Sequence, residues 1–272
     1  VNTDRPSLLG ISLIALLDAF PALRPRLWRW WYDALARRDQ AGELLLMNFG
    51  FDDGTPLELS SALEPYRYPL QLYERVASAA ALEGNAVLEV GCGRGGGAAF
   101  LVRRHRPASY LGVDLSPEAI AWCRQQHHES GLRFAEGHAD ALPADDASVD
   151  AVLNVESSHC YPSMPDFLRE VRRVLKPEGR FAFCDLRSSK GWEQTRGEFA
   201  DAGLHIIEEE CINDAVLRAL DKVAPQRDER IDARVPRPWR RMFRDFVGVR
   251  GGALYGMLKD GRLRYMRVLA RR

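Results

Sequence analysis

Apolar residues in this chain follow two rhythms that take turns. Short apolar or alternating runs, "AVLEV", "SYLGVD", "LRFAEG", "SVDAVLNV", "RFAFCDLR", "HIIEEECI" and a last one, "LRYMRVLARR", predict seven strands. Between them lie stretches in which apolar positions recur every three or four residues. "YPLQLYERVASAAAL", "AAFLVRRH", "SPEAIAWCRQQHHES", "MPDFLREVRRVLKPEG" and "GWEQTRGEFADAGL" predict helices. Ser116 suits an N-cap and Pro117 the first helical position. Pro177 and Gly179 are stop signals for the helix before them. Alternation of this kind predicts an α/β fold, a seven-stranded, mostly parallel, doubly wound sheet with helices on both faces. An antiparallel last strand is compatible with such a sheet.

The pattern also predicts boundaries. Residues 1–64 read as an N-terminal helical cap, 65–211 as the core, 212–262 as an inserted helical lid, and 263–272 as the final strand of the core. The run Leu8 to Phe20, "LLGISLIALLDAF", is apolar on nearly every side. It is too short to span a bilayer and carries Asp18, so a buried cap helix is expected and stable membrane insertion is not. A membrane-surface helix is the second reading. A signal peptide would have a more basic start and a small-residue cleavage site.

Composition narrows the classes. The 272 residues are 46% hydrophobic and 28% charged, enough for one large domain with a cap. Lys plus Arg and Asp plus Glu number 38 each, so no overall positive field recruits nucleic acid. The five cysteines are scattered without a CxxC, which points away from a disulfide framework and a metal site and toward a reducing, cytoplasmic setting.

Two stretches carry chemistry. "VLEVGCGRGGG" places Gly91, Gly93 and Gly95 directly after a strand, where glycine lets the backbone turn sharply and pass close to a ligand. Glu89 precedes Gly91 by two residues, and the next strand ends in Asp114, where an acid can accept both ribose hydroxyls. Together they predict a nucleoside ligand and leave a dinucleotide open. The second stretch is Glu156, Ser157, Ser158, His159 and Cys160, just beyond strand four on the rim where open α/β sheets bind ligands. No G-x-S-x-G elbow supports a serine hydrolase. Adjacent side chains on an extended chain point apart, which disfavours a His159–Cys160 pair. The remaining reading is that a cofactor brings the electrophile and the protein positions it.

"VLEVGCGRGGG", "YLGVDLSPEAI", "FAEGHADALP", "DAVLNVESSHCYP" and "VLKPEGRFAFCDLR" resemble, in order, the nucleotide-binding motifs of class I S-adenosylmethionine-dependent methyltransferases, over about residues 47–187. "CGRGGG", "CRQQHH" and "NVESSHCYP" are similar in particular to bacterial O-methyltransferases acting on polyketide-derived molecules, including the mycobacterial phthiotriolone-type enzymes. The resemblance implies S-adenosylmethionine as cofactor. It implies Glu89 near the methionine amino group, through backbone or water, and Gly91, Cys92 and Gly93 beneath methionine and ribose. Asp114 would accept the ribose hydroxyls, Leu115 would lie against adenine, and Asn154 would present backbone to the methionine moiety. One position departs: where the family usually has Gly-Asp-Ala, this chain has Gly137-His138-Ala139. His138 can accept the adenine proton only when neutral; Asp140 or the Ala139 backbone are the alternatives.

On this reading His159 is the natural general base, with Glu156 either orienting it or serving in its place. The aromatic residues Trp28, Trp30, Trp31, Trp239, Phe243, Phe246 and Tyr255 suggest an apolar small-molecule acceptor. The expected activity is O-methylation of a hydroxyl on a polyketide-like or lipidic metabolite. Methylation of nitrogen or carbon, and a cyclase or isomerase that keeps the cofactor structurally, are the alternatives.

Overall fold

The structure, a computed structural model, describes residues 45–272 except 236, 238, 239, 242, 243 and 245–247. The helices expected within residues 1–44, and Trp28, Trp30, Trp31, Trp239, Phe243 and Phe246, lie outside the described residues.

The strands are β1 (Ala86–Val90), β2 (Ser109–Asp114), β3 (Leu132–Glu136), β4 (Val149–Val155), β5 (Leu175–Ser188), β6 (His205–Cys211) and β7 (Leu263–Arg271). They form one sheet in the order β3-β2-β1-β4-β5-β7-β6. Pairing is parallel from β3 through β5, and β7 runs antiparallel to both β5 and β6. This is the mostly parallel, doubly wound sheet that the alternation predicts.

The helices are α1 (Arg67–Ala77), α2 (Gly96–His105), α3 (Pro117–Gln126), α4 (Met164–Val174), α5 (Ser189–Asp201), α6 (Asn213–Arg234) and α7 (Ala253–Lys259). Local signals explain their starts. Ser116 accepts from the Ala119 N–H at 3.2 Å to cap α3, with Pro117 in the first turn. Ser163 accepts from the Asp166 N–H at 3.3 Å to cap α4.

Alternate residues of each central strand feed two cores, because successive side chains leave a strand on opposite faces. In β5, Ala182 and Cys184 join residues of α1, α2, α3 and α6 on one face. Phe181 and Phe183 join α4 and α5 on the other. That second core is aromatic. Phe181 has ring centroids 5.8 Å from Phe167, 5.6 Å from Phe183 and 5.6 Å from Phe199.

One expectation needs correcting. The stop signals Pro177 and Gly179 do end α4, but no separate loop follows. The chain passes from Val174 directly into β5 at Leu175. Leu175 pairs with Val149, and the register then shifts before Arg180 meets Ala151. Pro177 has no N–H to give the ladder, and Glu178 sits at φ +65°, so the turn signals are absorbed as an irregularity inside the strand.

The strand order reverses direction between β1 and β4. Helices diverge from such a switch point and leave a crevice at the carboxyl ends of the strands. Phe181→Ala, which empties the centre of the aromatic core, should lower unfolding free energy by about 3–5 kcal/mol, read from the urea midpoint.

Candidate active site

A cavity opens at that crevice. Its wall is built from the glycine loop after β1, the ends of β2 and β4, residues 137–140, and the segment Leu45–Asn48. The loop is stitched to β2, since the N–H groups of Gly91 and Cys92 both donate to the Val113 carbonyl, at 2.8 and 3.0 Å. Gly91 has φ +78°, and a Cβ there would stand 2.3 Å from Ser157 Oγ and 2.8 Å from the Tyr161 hydroxyl. No larger residue fits that position without displacing the rim.

Asp114 closes the loop. One carboxylate oxygen accepts from the Gly93 N–H at 2.8 Å and the other from the Ser116 N–H at 3.0 Å. Asp114, Leu115, His138 and Ala139 all line the cavity, as do Gly91, Cys92 and Gly93. The structure therefore brings together seven of the residues singled out as cofactor contacts. Burial pushes the Cys92 thiol well above its ordinary pKa, so it stays neutral.

Glu89 and Asn154 stand behind the wall. Neither is on the cavity wall, and both are fully buried. Glu89 accepts from the hydroxyls of Tyr73 at 2.9 Å and Tyr110 at 2.8 Å. Burial raises its pKa to about 7, against the pull of the two tyrosine hydrogen bonds. The Asn154 amide donates to the Val90 carbonyl at 2.9 Å and lies 2.8 Å from both Ser157 Oγ and the Tyr161 hydroxyl. These two side chains brace the floor from beneath.

The rim after β4 holds the larger correction. Glu156, Ser157, Cys160 and Tyr161 line the cavity; His159 does not. A short 3-10 turn, Ser158–Cys160, directs His159 to Asp185 of β5. His159 Nδ1 is 2.9 Å from one oxygen of Asp185, and its backbone N–H donates to the other at 2.8 Å. Burial opposes a charged ring, but the Asp185 carboxylate outweighs it and lifts the His159 pKa well above the ordinary value. Burial likewise opposes the Asp185 charge, yet His159 and then Arg187 hold its carboxyl far below the usual range. An imidazolium has no lone pair to receive a proton. His159 is therefore not placed as the general base.

Nor does Glu156 orient it. One Glu156 oxygen accepts from the Phe49 N–H at 2.8 Å and from the Tyr265 hydroxyl. Burial raises its pKa to about 7, with the Tyr265 and Phe49 hydrogen bonds pulling it back.

Sequence reasoning missed Asp185, Tyr161, Tyr265 and the Leu45–Asn48 wall. An acid inside the apolar run "FAFCDL" was a usable signal, because Asp is almost never fully buried unless paired.

Comparison with known proteins agrees with this geometry. Residues 88–183 match the family described as Methyltransferase domain. The phthiotriol/phenolphthiotriol dimycocerosates methyltransferase of Mycobacterium leprae is 39% identical over 242 residues, covering 88% of this chain and 90% of that one. The fatty-acid O-methyltransferase of Mycolicibacterium smegmatis is 39% identical over 238 residues, covering 86% and 85%. Geranyl diphosphate C-methyltransferase from Streptomyces coelicolor, solved with S-adenosyl-L-homocysteine, shares the fold with a TM-score of 0.65 at 19% identity, over 89% of this chain and 98% of that one. The relatives, taken with an α/β sheet that carries a glycine cradle and an acid at the end of β2, define an S-adenosylmethionine-dependent methyltransferase. The chain belongs to class I of that family, in the group that holds the phthiotriol and fatty-acid enzymes.

Two outcomes are expected. Asp114→Ala should weaken S-adenosylmethionine binding about ten- to hundredfold by calorimetry, the loss of a charged hydrogen-bond acceptor. The second concerns pH. The raised His159 pKa gives stability that is complete below about pH 6.5 and fades as pH rises through the folded value. The lowered Asp185 pKa gives stability present above about pH 3.9 and lost only as pH falls. The urea-midpoint gap between wild type and His159→Gln should then be widest between those limits and narrow on the alkaline side. A gap constant from about pH 5 to about pH 10 would show that the ring holds no extra proton.

Proposed function

We propose that this methyltransferase transfers the methyl group of S-adenosylmethionine to a hydroxyl oxygen of a lipidic or polyketide-like metabolite. The observation that carries the reading is the 39% identity, sustained over more than four-fifths of the chain, to an enzyme named for phthiotriol-type lipids; the fatty-acid O-methyltransferase supports a lipidic acceptor and transfer to oxygen. The Leu45–Met47 wall, three apolar residues at the cavity, supports an apolar acceptor. The cap at 1–64 and the lid at 212–262 are the parts we assign to the acceptor side. Among the described residues no helix is long and apolar enough to cross a membrane. All five cysteines are free, which fits a reducing, cytoplasmic setting.

Mechanistically, the Gly91–Gly93 backbone would cradle the methionine and ribose portions, and the Asp114 carboxylate would accept from the ribose hydroxyls. Leu115, His138 and Ala139 would meet the adenine. When bound, the cofactor supplies a methyl group made electrophilic by a positive sulfur. What the chain contributes is alignment of the acceptor oxygen and removal of water from the reacting centre.

The test is direct. Wild type, S-adenosylmethionine and a panel of long-chain diols, phenols and fatty acids are incubated and analysed by mass spectrometry. Methyl ether should accumulate one to one with S-adenosylhomocysteine. Methylation confined to nitrogen, carbon or carboxylate acceptors would overturn the hydroxyl assignment. Substrate conversion without S-adenosylhomocysteine would mean a cyclase or isomerase.

A further inference from the structure

Resting on the methyl-transfer reading above, we infer that Glu156 is the catalytic residue that takes the proton of the acceptor hydroxyl. Its position comes first. It is the first residue past β4, at the carboxyl edge of the sheet, and it lines the cavity next to Ser157, the residue that touches Gly91. It reaches this place at φ +50°, a left-handed conformation that a residue with a Cβ adopts only under constraint. The constraint is visible, since its N–H donates to the Cys184 carbonyl at 2.7 Å. Backbone strain of this kind gathers at sites where a side chain must be aimed.

The carboxylate is used asymmetrically. Both donors, the Phe49 N–H and the Tyr265 hydroxyl, bind Oε2. No described residue donates to Oε1, which leaves that oxygen to the cavity. The group is thus anchored by one oxygen and open at the other, the arrangement a positioned base needs.

Other titratable groups share the wall, and His138 among them is the one set against the adenine above. Both oxygens of Asp114 hold backbone N–H groups. Asp140 is exposed. Burial keeps the Tyr161 phenol and the Cys92 thiol neutral. His159 is off the wall. The titratable groups that act on Glu156 are Tyr265, His159 and Asp185, while Tyr73 and Cys184 feel its charge in turn. Burial raises Glu156 to about 7; Tyr265, the Phe49 N–H and the His159 cation oppose the rise, and Asp185 adds to it. A base poised near neutrality combines availability with driving force.

The step balances simply. The acceptor oxygen forms its bond to the methyl carbon as the carbon–sulfur bond breaks, with that electron pair remaining on sulfur. The hydroxyl proton moves to Glu156 Oε1. Water then takes it from the carboxyl once product leaves.

Glu156→Gln keeps an oxygen that can accept from Phe49 and Tyr265. It should bind S-adenosylmethionine as wild type does by calorimetry. Turnover of an aliphatic hydroxyl should fall about 10²–10⁴-fold. A phenol should suffer less and recover at high pH, because it ionises unaided near pKa 10. Tyr265→Phe removes a donor from the carboxylate, so its kcat–pH profile should shift to higher pH while its maximum persists. A readout without turnover is infrared titration of the protein alone. Two buried carboxyls should titrate near pH 7, Glu89 and Glu156, and Glu156→Gln should lose one of them. Full turnover of an aliphatic hydroxyl by Glu156→Gln would overturn the inference, as would an unmoved profile in Tyr265→Phe. A wild type that methylates no hydroxyl would instead overturn the function proposed above, and this inference with it.

Discussion

A single buried carboxylate, Asp185, dictates the shape of the rim. It lies in the middle of the sheet with no exposure. An unpaired charge there would be strongly destabilising, so the surrounding chain must satisfy it. Ser158 Oγ, the His159 N–H, the His159 ring and the Leu186 N–H all turn toward it, with Arg187 at 3.4 Å. Meeting that demand coils residues 158–160 into a 3-10 turn. The turn in turn pulls His159 inward and leaves Glu156, Ser157, Cys160 and Tyr161 facing the cavity. The cavity wall is what remains after a buried charge has taken its partners.

The floor obeys the same rule on a smaller scale. Glu89 is satisfied by two tyrosines, one from α1 and one from β2, so the helix, the strand and the base of the glycine loop are fixed to one another. Asn154 ties β4 to the Val90 carbonyl. These residues resemble ligand contacts in sequence because they flank the backbone that lines the cavity. Their side chains instead hold that backbone still, and a loop held still needs less ordering when a ligand arrives.

How much was legible follows from the range of each interaction. The strands and helices announced themselves because periodicity is local, and Asp114 did so because its spacing from the glycine loop belongs to one β-α-β unit. The rim position of Glu156 was readable, but its partners and the inward turn of His159 were not. Glu156 is fixed by Phe49, 107 residues earlier, and by Tyr265, 109 residues later. His159 is fixed by Asp185, 26 residues away on another strand. Nothing near His159 in sequence distinguishes a free imidazole from one already claimed by a buried acid. The passage through Pro177 failed for a related reason: turn residues mark a break in the ladder, and only the neighbouring strand decides whether it becomes a loop or a bulge.

The sheet order has a consequence for how the chain is made. Among the described residues β6 is hydrogen-bonded in the sheet only to β7, which follows it in chain order. During synthesis β6 emerges from the ribosome some fifty residues ahead of its partner, roughly 2.5–10 s at ordinary elongation rates. For that interval the outer edge of β5 is an open template for pairing with another chain. Tyr265 arrives with β7, so Glu156 stays without that partner until the strand has docked.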